Sequence, residues 1–92
     1  MAWYVYMLRC GDGSLYTGST TDVRRRLETH QSGKGAKYTR SRLPVEVAYV
    51  ETAADRSAAL RREAAIKKLP RGEKLNLLER QEETLCADKT GN

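Results

Sequence analysis

The chain has 92 residues, 39% hydrophobic and 32% charged, with a formal net charge of +5. That suits one small domain with a modest core. No apolar run approaches the ~18 residues of a membrane span, so no membrane partner is expected. The opening Met1-Ala-Trp-Tyr4 has neither the basic nor the apolar region of a secretory signal. Cys10 and Cys86 make no metal-ligand spacing and read as reduced thiols, so a cytoplasmic location is expected.

Trp3 to Cys10 is apolar or aromatic at nearly every position, the pattern of a central strand covered on both faces. Gly11-Asp12-Gly13 marks a turn, and Leu15 to Gly18 a second strand. The turn length decides where Tyr6 and Tyr16 point. A two-residue loop puts them on opposite faces, because side chains alternate. A three-residue loop with Gly13 left-handed pairs Leu8 with Tyr16 and puts both tyrosines on one face; both loops are chemically allowed.

Ser19-Thr20-Thr21-Asp22 reads as a helix start, with hydroxyl caps and an acid in the first turn. The helix runs to about Gln31, with Val23 and Leu27 as its apolar stripe. Arg26 and His30, four residues apart, flank that stripe, while Arg24 and Arg25 point away. Ser32 to Lys37 is a Gly-rich basic loop that fails the Walker pattern. Its glycines suit a ligand-approaching loop as well as a plain flexible one. A third strand is expected from Val45 to Thr52 after Pro44.

Asp55 to Leu69 is a second long helix whose apolar arc holds Ala59, Leu60, Ala64, Ile66 and Leu69. Glu63 falls near the middle of that arc, where a carboxylate is costly unless it is paired or holds a metal. Lys67, at i+4, offers the pair; periodicity alone leaves both open. Arg71 to about Glu83 is a third helix after Pro70. The boundaries expected are one domain over residues 1–83 and a tail over 84–92.

From Arg24 to Arg42 seven basic residues face the single acid Glu28. This is the footprint of a phosphate-backbone binder, and also of an ordinary solvated surface. There is no G-x-S-x-G, no zinc cluster and one histidine, His30, which excludes a Ser-His-Asp hydrolase and a zinc enzyme. Tyrosines, an arginine and a lone glutamate do fit phosphodiester hydrolysis. A hard cation can sit on one carboxylate plus waters and phosphate oxygens. Arginine meets developing charge on phosphorus. A phenol can relay a proton from water if nearby cations lower its pKa.

Tyr4-Val5-Tyr6, Tyr16-Thr17-Gly18, Asp22 to Leu27 with Arg26, His30, the Gln31 to Lys37 loop and Glu63 together resemble the GIY-YIG nuclease superfamily. The resemblance is specifically to its small stand-alone bacterial branch (YhbQ-type), and it covers roughly Trp3 to Leu78. Tyr4 replaces the first glycine of the name motif and Thr17 its isoleucine. Ser19 stands where the excision-repair branch has a lysine, a cation whose role is vacant or passes to Lys34 or Lys37.

The resemblance implies an α+β fold, a three-stranded antiparallel sheet flanked by helices in the order β-β-α-β-α-α. It implies a metal-dependent endonuclease acting on DNA, with RNA not excluded, in repair or structure-selective turnover. Tyr6 would be the base, His30 would take or tune its proton, Tyr16 would position water or phosphate, and Arg26 would steady the phosphate. Glu63 would hold one Mg2+ or Mn2+. Arg24, Arg25, Lys34, Lys37, Arg40, Arg42 and Lys67 are the expected nucleic-acid contacts. With no separate DNA-binding domain, selectivity is expected from the basic loop, a homodimer or a protein partner. The alternative is a non-catalytic nucleic-acid-binding module using Arg24 to Arg42.

Overall fold

The computed structural model describes residues 2–90, with side chains described through Gln81. β1 (Trp3–Cys10), β2 (Leu15–Thr20) and β3 (Val45–Ala53) form one antiparallel sheet in the order β2-β1-β3. Alternation along the central strand β1 splits its side chains between two apolar clusters. Val5 and Met7 pack with Tyr49, Ala59, Ile66 and Leu78 under α3 (Arg56–Lys67) and α4 (Arg71–Thr90). Tyr6, Leu8 and Cys10 pack with Val45 on the opposite face, against Val23 and Leu27 of α1 (Val23–Gln31). Both faces are covered, as the unbroken apolar run requires. Among the described residues no helix is long and apolar enough to cross a membrane.

The hairpin closes through three residues. Gly13 N–H donates to Cys10 O at 2.9 Å, Cys10 N–H to Ser14 O at 2.9 Å, and Gly13 takes φ +85°. Only glycine adopts that angle without strain. Leu8 therefore opposes Tyr16 and Tyr6 opposes Gly18. β2 continues past Gly18 to Thr20, so Ser19 and Thr20 are strand residues. The α1 cap is Asp22 alone, accepting from Arg25 N–H at 3.0 Å. At the far end of the molecule Arg71 donates to Gly13 O at 3.0 Å and ties the start of α4 to the turn.

Four further features depart from the expected elements. A short helix, α2 (Lys37–Arg40), closes the Gly-rich loop and buries Thr39 completely. β3 carries a bulge: Met7 opposes Tyr49 and Leu8 opposes Val47, leaving Ala48 as the extra residue. That residue switches the faces of β3, so Val45 joins one cluster and Tyr49 the other. In α3, capped by Asp55, the buried line is Ala59 and Ile66, while Leu60 is 45% exposed and Ala64 is exposed. The buried arc is narrower than the sequence implies, and Glu63 within the expected arc reaches Ser19 on the edge strand β2. α4 runs to Thr90, past the expected end at Glu83; the expected tail over 84–92 otherwise falls outside what the structure describes.

Candidate active site

The two tyrosines share the α1 face of the sheet because of the odd-residue turn. Gly18 lies directly opposite Tyr6, and a Cβ there would sit 2.5 Å from the Tyr6 hydroxyl. The missing side chain lets the phenol lie across β2. His30 follows Val23 and Leu27 on the inward stripe of α1 and is 2% exposed, in the core rather than at its margin. Gly35 makes room for it, since a Cβ at residue 35 would collide with His30 Nδ1.

The hydrogen bonds around His30 fix its tautomer. Thr39 Oγ1 donates its proton to Ala36 O at 2.9 Å. It can then only accept from His30 Nδ1, 2.8 Å away, so Nδ1 carries the ring hydrogen. Nε2 is left as an acceptor, 3.2 Å from Tyr6 Oη, and the phenol donates to it. Burial lowers the His30 pKa, with the Arg26 charge adding to the effect, and so keeps the imidazole neutral. Burial also raises the Tyr6 pKa, helped by Tyr16; the opposing influence of Arg26 is smaller. The expectation that cations lower the phenol is therefore corrected. Desolvation wins, and Tyr6 is a neutral hydroxyl already bonded to a base.

Glu63 arrives from the other side. Ser19 opposes Val5 and so faces α3, where its hydroxyl donates to Glu63 Oε1 at 2.6 Å. Lys67 Nζ lies 2.7 Å from Glu63 Oε2. These bonds to Lys67 and Ser19 hold the carboxyl below the usual range although burial alone would raise it. Lys67, one turn along α3, thus reaches the site through its pair with Glu63, whereas Lys34 and Lys37 neither line the pocket nor pair with a lining residue among the described residues. Arg26 completes the set, its guanidinium making no side-chain hydrogen bond or ion pair with any other described residue. The pocket, about 270 Å³, is lined by Tyr6, Tyr16, Ser19, Arg26, His30 and Glu63, with Gly18 and Ala36 in its wall. It wraps the open edge of β2 at Gly18, collecting tyrosines and histidine from one face and the carboxylate from the other.

Among the described residues no group of three or more His, Cys, Asp or Glu side chains could enclose a metal. The pocket offers one carboxylate. Magnesium keeps several waters and binds through one or two carboxylates plus phosphate oxygens. The donor set fits such a site once Lys67 yields Oε2. A larger cleft, about 440 Å³, lies beside Arg9, Cys10 and Val45. There Arg9 pairs with Glu46 at 3.6 Å and burial pushes the Cys10 thiol up, so it holds no activated group.

The basic residues divide. Arg24, Arg25, Lys34, Lys37 and Arg40 are exposed. Lys67 is committed to Glu63. Arg42 is committed to Asp12, with Nε 3.1 Å from Oδ2, and to Tyr38 O at 2.9 Å. Sequence reasoning missed Ser19, which its hydroxyl-rich context disguised as a cap. It missed Thr39 too, whose role depends on a helix with no periodic signal.

A family model for the GIY-YIG catalytic domain matches residues 2–76. The chain belongs to the GIY-YIG family. The match supports a nuclease-like role and a nucleic-acid substrate, and nucleases of this family generally use a divalent metal. This GIY-YIG protein is 56% identical over 80 residues to a UPF0213 protein of Oceanobacillus iheyensis, covering 87% of this chain and 93% of that one. It is 50% identical over 88 residues to a UPF0213 protein of Natronomonas pharaonis, covering 96% and 94%. Two solution NMR structures are similar. One is a UPF0213 protein of Bacillus halodurans (48% identity, TM-score 0.56, 86% and 84% of the two chains). The other is a protein from E. faecalis (45%, 0.60, 89% and 88%).

Proposed function

We propose that this GIY-YIG protein is a metal-dependent endonuclease that hydrolyses DNA phosphodiester bonds in one step. The observation that carries the reading is convergence: Tyr6, Tyr16, Arg26, His30 and Glu63 come from four elements to one pocket. The Tyr6 hydroxyl there donates to a neutral imidazole. Water attacks phosphorus as the ester P–O bond breaks. A water proton passes to the Tyr6 oxygen while the phenolic proton moves to His30 Nε2, so that Tyr6 stays neutral throughout and imidazolium forms. The leaving alkoxide takes a proton from solvent. Arg26, whose guanidinium is not paired among the described residues, meets the charge on the phosphate oxygens. The phosphate in turn offsets Arg26, the charge that opposes protonation of His30. Tyr16 orients the phosphate or the attacking water. Glu63 would hold the divalent cation, which would supply positive charge against the charge developing in the transition state.

The test is cleavage of single-stranded, nicked and branched DNA with magnesium, manganese or EDTA, by the parent, Glu63→Ala and Arg26→Ala. The reading predicts metal-dependent cutting and a loss of about 100-fold or more in each variant, the scale of one transition-state contact. Binding without cutting on every substrate, in every metal, would leave a nucleic-acid-binding module and reject the enzyme.

A further inference from the structure

The ring stack does not end at the pocket. His30 and Tyr16 have ring centroids 5.2 Å apart at 59°, and Tyr16 and Tyr38 6.0 Å apart at 30°. Arg42 Cζ lies 3.9 Å from the Tyr38 centroid. The Arg42 guanidinium is pinned along its edge: Nε donates to Asp12 Oδ2 at 3.1 Å, and Nη1 to Tyr38 O at 2.9 Å and Ser41 Oγ at 3.3 Å. With Nε and Nη1 committed and Nη2 left over, the guanidinium is a weakened phosphate clamp and a flat surface held in place. Both groups stay open to solvent, Tyr38 at 39% and the Arg42 side chain at 34%.

The same short helix serves both ends of the stack. Thr39 is buried and sets the His30 tautomer, while the adjacent Tyr38 is exposed and stacks on Tyr16, which lines the pocket. Exposed Lys37 and Arg40 flank it, so phosphate charge can be met without Arg42. A guanidinium plane laid over an exposed aromatic ring, within a basic stretch, presents its outer face, and arginine planes of this kind stack nucleic-acid bases.

We propose that the Arg42 guanidinium, backed by the Tyr38 ring, forms a stacking platform for one unpaired nucleobase next to the phosphate held in the pocket. It rests on the nuclease reading above and deepens it by naming the substrate class, a strand with at least one base out of the duplex. A paired base has both faces covered by its neighbours and offers none to the platform. Arg42 is thereby reassigned from phosphate contact to base contact.

The test compares binding, in EDTA to prevent cleavage, of a labelled single-stranded DNA and a strand of equal length with abasic central positions. Both carry the same phosphates. The parent is expected to prefer the base-bearing strand by about 5- to 100-fold, the scale of one stacked base. Tyr38→Ala should lose that preference, with abasic binding retained. Arg42→Lys keeps the charge, so it should lose the preference while the salt dependence of affinity stays as in the parent. Equal binding of the two strands by the parent overturns the platform and leaves the nuclease reading standing; so does an unchanged preference in Tyr38→Ala. Failure to bind either strand overturns the nucleic-acid reading and the platform with it.

Discussion

The two ends of the pocket are built on opposite terms. At one end Tyr6, His30 and Thr39 are 0–2% exposed and joined in a single donor-to-acceptor chain that terminates on Ala36 O. At the other end Glu63 holds Ser19 and Lys67, and the Lys67 side chain is 51% exposed. The dry end is fixed before any substrate arrives, because every proton has one place to go. The wet end is the more exchangeable, because Lys67 is half open to water and can leave Glu63 for solvent, although Glu63 itself is 18% exposed. Proton transfer is sensitive to small displacements, whereas cation capture requires a ligand that can let go of its resting partner.

The dry end is the easier to break. Tyr6→Phe removes the hydroxyl and should lower single-turnover cleavage by about 10²–10⁴-fold, the usual worth of positioned proton transfer; a loss under tenfold would take Tyr6 out of the proton path. Gly18→Ala puts a methyl 2.5 Å from the Tyr6 hydroxyl. It should cost about 100-fold, the effect of an ångström-scale misplacement, with the circular dichroism spectrum of the parent. If Gly18→Ala cleaves normally, the close approach across β2 has no functional meaning.

Acidity sharpens the contrast next. The folded pKa of His30 lies below its ordinary value of about 6.5, and the relay needs the neutral ring. Cleavage should therefore hold flat through neutrality and fall only below pH ~6.5. Stability follows the same sign. The unfolded chain binds the proton more tightly, so the contribution of neutral His30 is fully present above about pH 6.5 and is lost as pH falls below that value. An acid limb above 7, absent from His30→Gln, would contradict the assignment. At the wet end the effect is smallest. Lys67→Met removes the competitor for Glu63 Oε2 and should tighten Mn2+ binding about 2- to 5-fold by titration; weaker binding would mean that Lys67 helps to organise the site.

Much of this was legible in the residues. Gly13 allows the three-residue turn that unites the tyrosines, although only the strand pairing excludes the two-residue loop, and helical spacing puts His30 beside the Val23 and Leu27 stripe, whereas it lies in the core. What was hidden depended on long-range pairing. Ser19 looks like a cap until pairing with Val5 makes it a strand residue facing α3. The Ala48 bulge has no glycine to betray it. The fate of Lys67 is local, an i,i+4 pair, yet its meaning is set by Ser19, 44 positions from Glu63. The raised Tyr6 pKa could not be read from a basic sequence, because burial there outweighs the nearby charge of Arg26.

The most direct test of the account is a double-mutant comparison of single-turnover DNA cleavage, with the parent, Tyr6→Phe, His30→Ala and the two combined. If Tyr6 and His30 move one proton as a unit, the double variant will be no slower than Tyr6→Phe alone, because the second substitution removes nothing that remains in use. Fully multiplicative losses, or a parent that cleaves no phosphodiester at all, would contradict it.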